Sequence, residues 1–133
     1  MVLEQAMICL GVGFSQQADC AAIVAAIKAC LRFHQLSATD LQALATVAAK
    51  DSPPLRQAAQ ALALPLTFPA PAALDHAAKR CLSPSPRVLA AHGLPSVAEA
   101  AALAAVGDAA SLLGPKRSLG AVSCALAHDG RQP

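Results

Sequence analysis

The sequence predicts a three-layer α/β/α sandwich around a central, mostly parallel sheet, made mixed by a C-terminal hairpin. Three observations carry this expectation. Short apolar runs end in glycine or proline, and the segments between them repeat their apolar residues at helical spacing. Two serine-led helix starts, Ser52-Pro53 and Ser96-Val97-Ala98-Glu99, punctuate the chain.

The elements follow in order. Residues 6–14 form an apolar run that reads as a buried strand breaking into a turn at Gly11-Val12-Gly13. Cys20, Ile23, Val24, Ile27 and Leu31 then recur on one helical face, with Lys28 and Arg32 opposite; Asp19 or Ser15 is placed to cap that helix. Residues 41–48 are a second apolar run, which completes a βαβ unit. Ser52 followed by Pro53 starts a helix over 53–63, because proline fits the first turn and serine the cap. Residues 64–68 read as a third strand, and after Pro69-Ala70-Pro71 a helix covers 72–82. Ser83-Pro84-Ser85-Pro86 is either mobile or the start of a short helix ending near Gly93. Ser96 and Glu99 make a capping box for an alanine-rich helix ending at Gly107. Residues 111–117 and 120–127 read as a hairpin around Ser118-Leu119, and 128–133 as a frayed tail. The 133 residues are read as one domain, with a core over 6–127.

Composition narrows the function. Hydrophobic residues make up 56% and charged ones 14%, which excludes a disordered chain and raises the question of a membrane span. The longest uncharged stretch, 57–74, contains Gln57 and Gln60 and is broken by Pro65, Pro69 and Pro71, so no span is expected. Glu4 precedes the first apolar run and no basic leader is present, so the expected location is cytoplasmic. A net charge of +2, no Trp or Tyr and only three Phe give neither a basic stripe nor stacking platforms, which argues against nucleic acid. Five cysteines without a CxxC pair and four scattered histidines suggest neither a disulfide framework nor a metal site, and no cofactor is expected.

Chemistry is expected outside the carboxyl ends of the strands. Those ends, Gly11 to Ser15 and Ala48 to Ser52, lead into helix N-termini, where free amides favour an anion, and Lys50 adds a full charge. The alternative is that the glycines only permit a turn and Lys50 is solvated. The Gly11-x-Gly13 pair lacks the third glycine of a dinucleotide fingerprint, since Gln16 stands there. Ser15 lacks the G-x-S-x-G setting of a nucleophile and reads as a cap. Lys116-Arg117 beside Gly120 is a solvated sheet edge unless it faces the Gly11 loop. Glu99 is read first as the capping-box partner of Ser96, whose helix end is a third candidate anion site.

Gly11-Val12-Gly13, Lys50, Gly93-x-x-Ser96-Val97-Ala98-Glu99-Ala100-Ala101-Ala102-Leu103 and Pro115-Lys116-Arg117-x-x-Gly120-x-Val122 together resemble one family across 6–127. It is the family of CobE-type proteins and the C-terminal domain of CbiG, from cobalamin biosynthesis. The resemblance implies work on the corrin ring. The larger CbiG proteins resemble hydrolases that open a lactone on a cobalt-containing precursor, and their N-terminal portion has no counterpart here. The family often has Cys-Arg-x-Gly-Thr after Gly13, whereas this chain has Phe14-Ser15-Gln16-Gln17-Ala18, without the arginine.

A precorrin has a rim of acetate and propionate groups around an apolar face. The expected binding residues are Gly11, Val12, Gly13, Phe14, Ser15, Lys50, Ser52, Ser96, Lys116 and Arg117, with aliphatic side chains and Phe14 against the ring. The leading expectation is a protein that binds or hands on a corrinoid intermediate. The alternatives are a hydrolase or lyase, with Glu99 or Asp51 moving protons, and a docking partner of another pathway enzyme. The apolar composition also suits a homodimer. Lys50→Ala is expected to weaken corrinoid binding in a pigment-retention assay while leaving the protein folded; unchanged affinity in the folded variant removes Lys50 from the site.

Overall fold

The first apolar run is a strand, β1 (Ile8–Phe14), and it continues through both glycines instead of turning at them. The computed structural model describes residues 7–129, so residues 1–6 and 130–133, including Ala6 and most of the expected tail, lie outside it. Next comes α1 (Cys20–Phe33), which is capped by Asp19, whose Oδ1 accepts from the Ala22 amide at 2.8 Å. Its Ile23, Ile27 and Leu31 are buried as the spacing requires.

The second run yields a strand of only three residues, β2 (Ala43–Ala45), before a 3-10 turn at Ala48–Lys50 lifts the chain away. Helix α2 (Pro53–Ala61) starts at the predicted proline, but Ser52 does not cap it through its side chain. Pro54 occupies the second helical position and has no N–H to offer, and Ser52 Oγ is buried with no hydrogen-bond partner among the described residues. The helix stops at Leu62, and Ala63 takes a positive φ of 56°. Strand β3 (Leu66–Thr67) is shorter than expected.

Helix α3 (Pro71–Ala78) ends four residues before the expected limit because the following residues have partners elsewhere. The Arg80 guanidinium donates to the carbonyls of Asp108 and Ala110, and the Leu82 amide donates to Glu99. Helix α4 (Pro86–His92) starts at Ser85 and ends at Gly93, whose φ of 70° suits glycine. Helix α5 (Val97–Val106) starts at Ser96 and ends at Gly107.

The C-terminal part folds as β4 (Ser111–Leu112), β5 (Arg117–Leu119) and β6 (Val122–His128). The hairpin turn lies at Gly120-Ala121, two residues later than expected. Ser118 and Leu119 pair with Ser123 and Val122, and Gly120 takes the positive φ of 60° that a tight hairpin needs. His128 closes β6, so the predicted tail begins inside a strand.

The sheet order is β3-β2-β1-β6-β4, with β5 also paired to β6; β1, β2 and β3 are parallel, and β6 is antiparallel to its neighbours. This is the mixed α/β sheet expected. The two faces differ in kind. Leu10, Val12, Leu44, Val122, Cys124 and Leu126 meet α1 and α2 in a large-residue core. On the other face lie Ala45, Ala127 and the glycines of β1, beneath α5. A Cβ on Gly11 would lie 1.9 Å from the Ala98 carbonyl oxygen, so α5 rests directly on the strand backbone. Residues Val97 to Leu103 are all buried, which fits a helix made mostly of alanine and enclosed on every side.

Among the described residues no single helix is long and apolar enough to cross a membrane. Gly11→Ala is expected to lower the urea midpoint by an amount worth about 3 kcal/mol or more, because helix and strand must separate to admit one methyl group. Gly13→Ala meets the Val97 side chain at 3.4 Å and the Ala98 nitrogen at an ordinary 3.7 Å, and should cost less than about 1 kcal/mol. Equal midpoints for the two variants would refute the close-approach reading.

Candidate functional site

The contact at Gly11 brings the N-terminus of α5 beside the carboxyl end of β1. A cleft of about 620 Å³ opens there. Its walls are the end of β1 (Gly13, Phe14, Ser15), Lys50, one face of α4, the first turn of α5, Lys116 and the β5–β6 turn. The size falls within the usual range for small-molecule sites.

The titratable side chains lining this cleft are Lys50, Arg87, His92 and Lys116, and no Asp or Glu is among them. Lys50 Nζ donates to the Phe14 carbonyl oxygen at the end of β1 and lies 5.4 Å from the centre of the Phe14 ring. One of its three donors is used in this way, which fixes the ammonium at the cleft wall. Ser96 Oγ accepts from the Glu99 amide at 3.2 Å, so the cap serves the third helical position. The amides of Val97 and Ala98 come earlier in the turn, where the helix itself offers no acceptor. Ser15, Ser85 and Ser123 add hydroxyls, while Phe14, Val88, Val97 and Ala121 add apolar surface.

The sequence-predicted residues divide sharply. Gly13, Phe14, Ser15, Lys50, Ser96 and Lys116 meet at the cleft. Gly11 and Val12 lie farther down β1; Val12 points into the core against α1, and Gly11 serves the helix–strand contact. Ser52 is not at the cleft wall. Arg117 projects to the opposite face, its guanidinium 3.5 Å above the centre of the Phe33 ring at the end of α1. Neither proton-transfer candidate lines the cleft. Asp51 forms two 2.7 Å bonds with Arg56 at the surface, and that partner holds its carboxyl below the usual range. Glu99 is fully buried, and its carboxylate accepts from the amides of Leu82, Ser83 and Lys116 at 2.8–2.9 Å. The capping box is therefore half formed: serine reaches forward, and glutamate turns away to the two loops.

Arg87 and His92 were missed as site residues. Together with Val88 and Ala91 they occupy positions i, i+1, i+4 and i+5 of α4, the spacing of one helical face. That pattern was readable once the short helix was accepted. Burial holds the His92 imidazole below its ordinary range, and the Lys50 charge adds to the effect.

The chain belongs to the family described as the cobalamin synthesis G C-terminus, which matches residues 8–127. It is thus a member of a cobalamin biosynthesis protein family. Among solved structures it is similar to CobE, a protein from the cobalamin (vitamin B12) biosynthetic pathway. That match has 39% identity and a TM-score of 0.88, and it covers 96% of this chain and 94% of the other. It is also similar to cobalamin biosynthesis protein chiG from Agrobacterium tumefaciens str. C58, at 33% identity and a TM-score of 0.75, covering 94% of this chain and 100% of that one. A cobalamin biosynthesis protein G homologue from Sulfolobus solfataricus shares the fold at 18% identity and a TM-score of 0.71, across 94% of this chain and 37% of its own. No curated protein matches by sequence.

The lowered His92 pKa has a definite sign. The fold disfavours the proton, so this histidine contributes stability above its ordinary value of 6.5, and that contribution is lost as pH falls through the lowered value. Lys50→Met is expected to move the His92 titration, followed by its ring resonances, upward toward 6.5. An unmoved midpoint would separate the two residues electrostatically.

Proposed function

We propose that the protein binds a precorrin or corrinoid intermediate of cobalamin biosynthesis in this cleft and hands it between cytoplasmic pathway enzymes. The observation that carries the reading is the lining charge: three cations, Lys50, Arg87 and Lys116, beside His92 and with no acidic side chain among the described lining residues, above an open helix start. A carboxylate rim is the complement of such a wall. Membership of a cobalamin family supplies the macrocycle that bears the rim.

The parts suit different regions of such a ligand. Lys50, Arg87 and Lys116 face carboxylates, with His92 joining them when protonated, and the α5 amides take a further oxygen. Phe14, Val88 and Val97 offer apolar surface to the ring. Each charge-assisted contact is worth about 1.5–3 kcal/mol where water is partly excluded. Asp51 and Glu99, the carboxylates expected to move protons, lie outside the cleft, and binding through the cationic wall needs neither of them.

Purified protein incubated with hydrogenobyrinic acid and a panel of precorrins, then desalted, is expected to retain pigment of unchanged mass. Retention should fall with added salt, because the pairing is largely ionic. Lys116→Ala should weaken binding about tenfold. Pigment of altered mass would show catalysis instead, and no retention would leave the docking-partner reading.

A further inference from the structure

Glu99 lies outside the cleft yet touches both loops that furnish it. Its Oε1 accepts from Leu82 at 2.9 Å and from Ser83 at 2.8 Å, on the connection that leads into α4. Its Oε2 accepts from the Lys116 amide at 2.9 Å, in the segment between β4 and β5. The glutamate itself is fixed within the first turn of α5, where its own amide donates to Ser96 Oγ. One carboxylate therefore ties α5, the α4 connection and the Lys116 segment to a common point.

We infer that Glu99 is the positioning residue of the site: it sets where Lys116 and the basic face of α4 stand relative to the α5 N-terminus. This inference rests on the binding reading above. Apart from Glu99, the Ser85 amide donates to the Pro95 carbonyl and the Leu113 amide to the Leu126 carbonyl, each at 2.9 Å, at the edges of these segments. None of α4 is fully buried, and the residues between β4 and β5 have little sheet pairing to hold them. Without a shared acceptor inside, three partly buried amides would also lose their partners. An aliphatic side chain at position 99 could fill the volume but could not collect them.

The two oxygens are used unequally, which makes the role testable. In Glu99→Gln, the remaining carbonyl oxygen keeps two bonds if it faces Leu82 and Ser83 and only one if it faces Lys116. The favoured orientation holds the α4 connection and turns an NH2 group against the Lys116 amide, donor against donor. The variant is thus expected to free Lys116 selectively.

The experiment has a ligand-free arm and a binding arm. In amide hydrogen exchange, Glu99→Gln should speed the Lys116 amide by at least about tenfold while Leu82 and Ser83 stay protected. In hydrogenobyrinic acid binding, Lys116→Ala should cost about tenfold in the unmodified protein but less than about twofold in the Glu99→Gln background. Arg87→Ala should keep its full effect in both. Equal effects of Lys116→Ala in the two backgrounds, or loss of all three amides together, would overturn the role. If Glu99→Gln does not fold, exchange in the unmodified protein decides: Lys116 should exchange with the amides of α5, and the rate of an open turn would sink the proposal. Absence of binding by the unmodified protein refutes the ligand reading itself, and the exchange arm then still judges the strut.

Discussion

Helix α5 is seated directly on the backbone of β1, with no room for a Cβ at Gly11, and the cleft depends on that contact. Beneath α5 the central strands present mainly glycine and alanine (Gly11, Gly13, Ala45, Ala127), and six of the ten residues of the facing helix are alanine. A thin interface brings the helix axis nearer the sheet than leucine or isoleucine would allow. The first turn of α5 then sits beside the end of β1, and Val97 and Ala98 line the same cleft as Lys50. On the opposite face the sheet presents Leu10, Val12, Leu44, Val122 and Leu126 to α1 and α2. One layer of the sandwich is built mainly for stability and the other mainly for proximity.

Much of the architecture was legible because it is written in period and punctuation. The apolar stripe of α1, the prolines that open α2, α3 and α4, and the serine before α5 all mark real elements. Errors arose where a local signal has two physical meanings. Gly11 and Gly13 lie two apart, as required both by a glycine turn and by one face of a strand. Only the helix above them distinguishes the cases, and it comes from the far end of the chain. The hairpin turn slipped by two residues because Ser118 and Leu119 look turn-like and strand-like at once, whereas Gly120 alone could take the required backbone conformation.

The site was legible in part for the same reason. Lys50 and Ser96 were found because each follows or opens an identifiable element. Lys116 and Arg117 were read as a pair, but neighbours along an extended chain point to opposite sides, so one meets the cleft and the other covers Phe33. Glu99 shows the limit most clearly. Serine and glutamate three apart describe a capping box completely, yet two loops distant in sequence compete for the same carboxylate and win it. Local spacing cannot register that competition.

The pairing of β1 with β6 has a consequence for the order in which the molecule can assemble. Strand β1, early in the domain, lies between β2 and β6, and Ile8 is matched with His128, 120 positions later in the chain. Until β6 emerges, β1 can pair only along its β2 edge and keeps a row of peptide groups open on the other. Residues 8 to 128 must all be present before the pairing of β1 with β6 is complete. Such long-range closure is slow compared with local helix formation. During synthesis the nascent chain therefore carries an unpaired apolar edge, and the antiparallel return of β6 is the event that seals it.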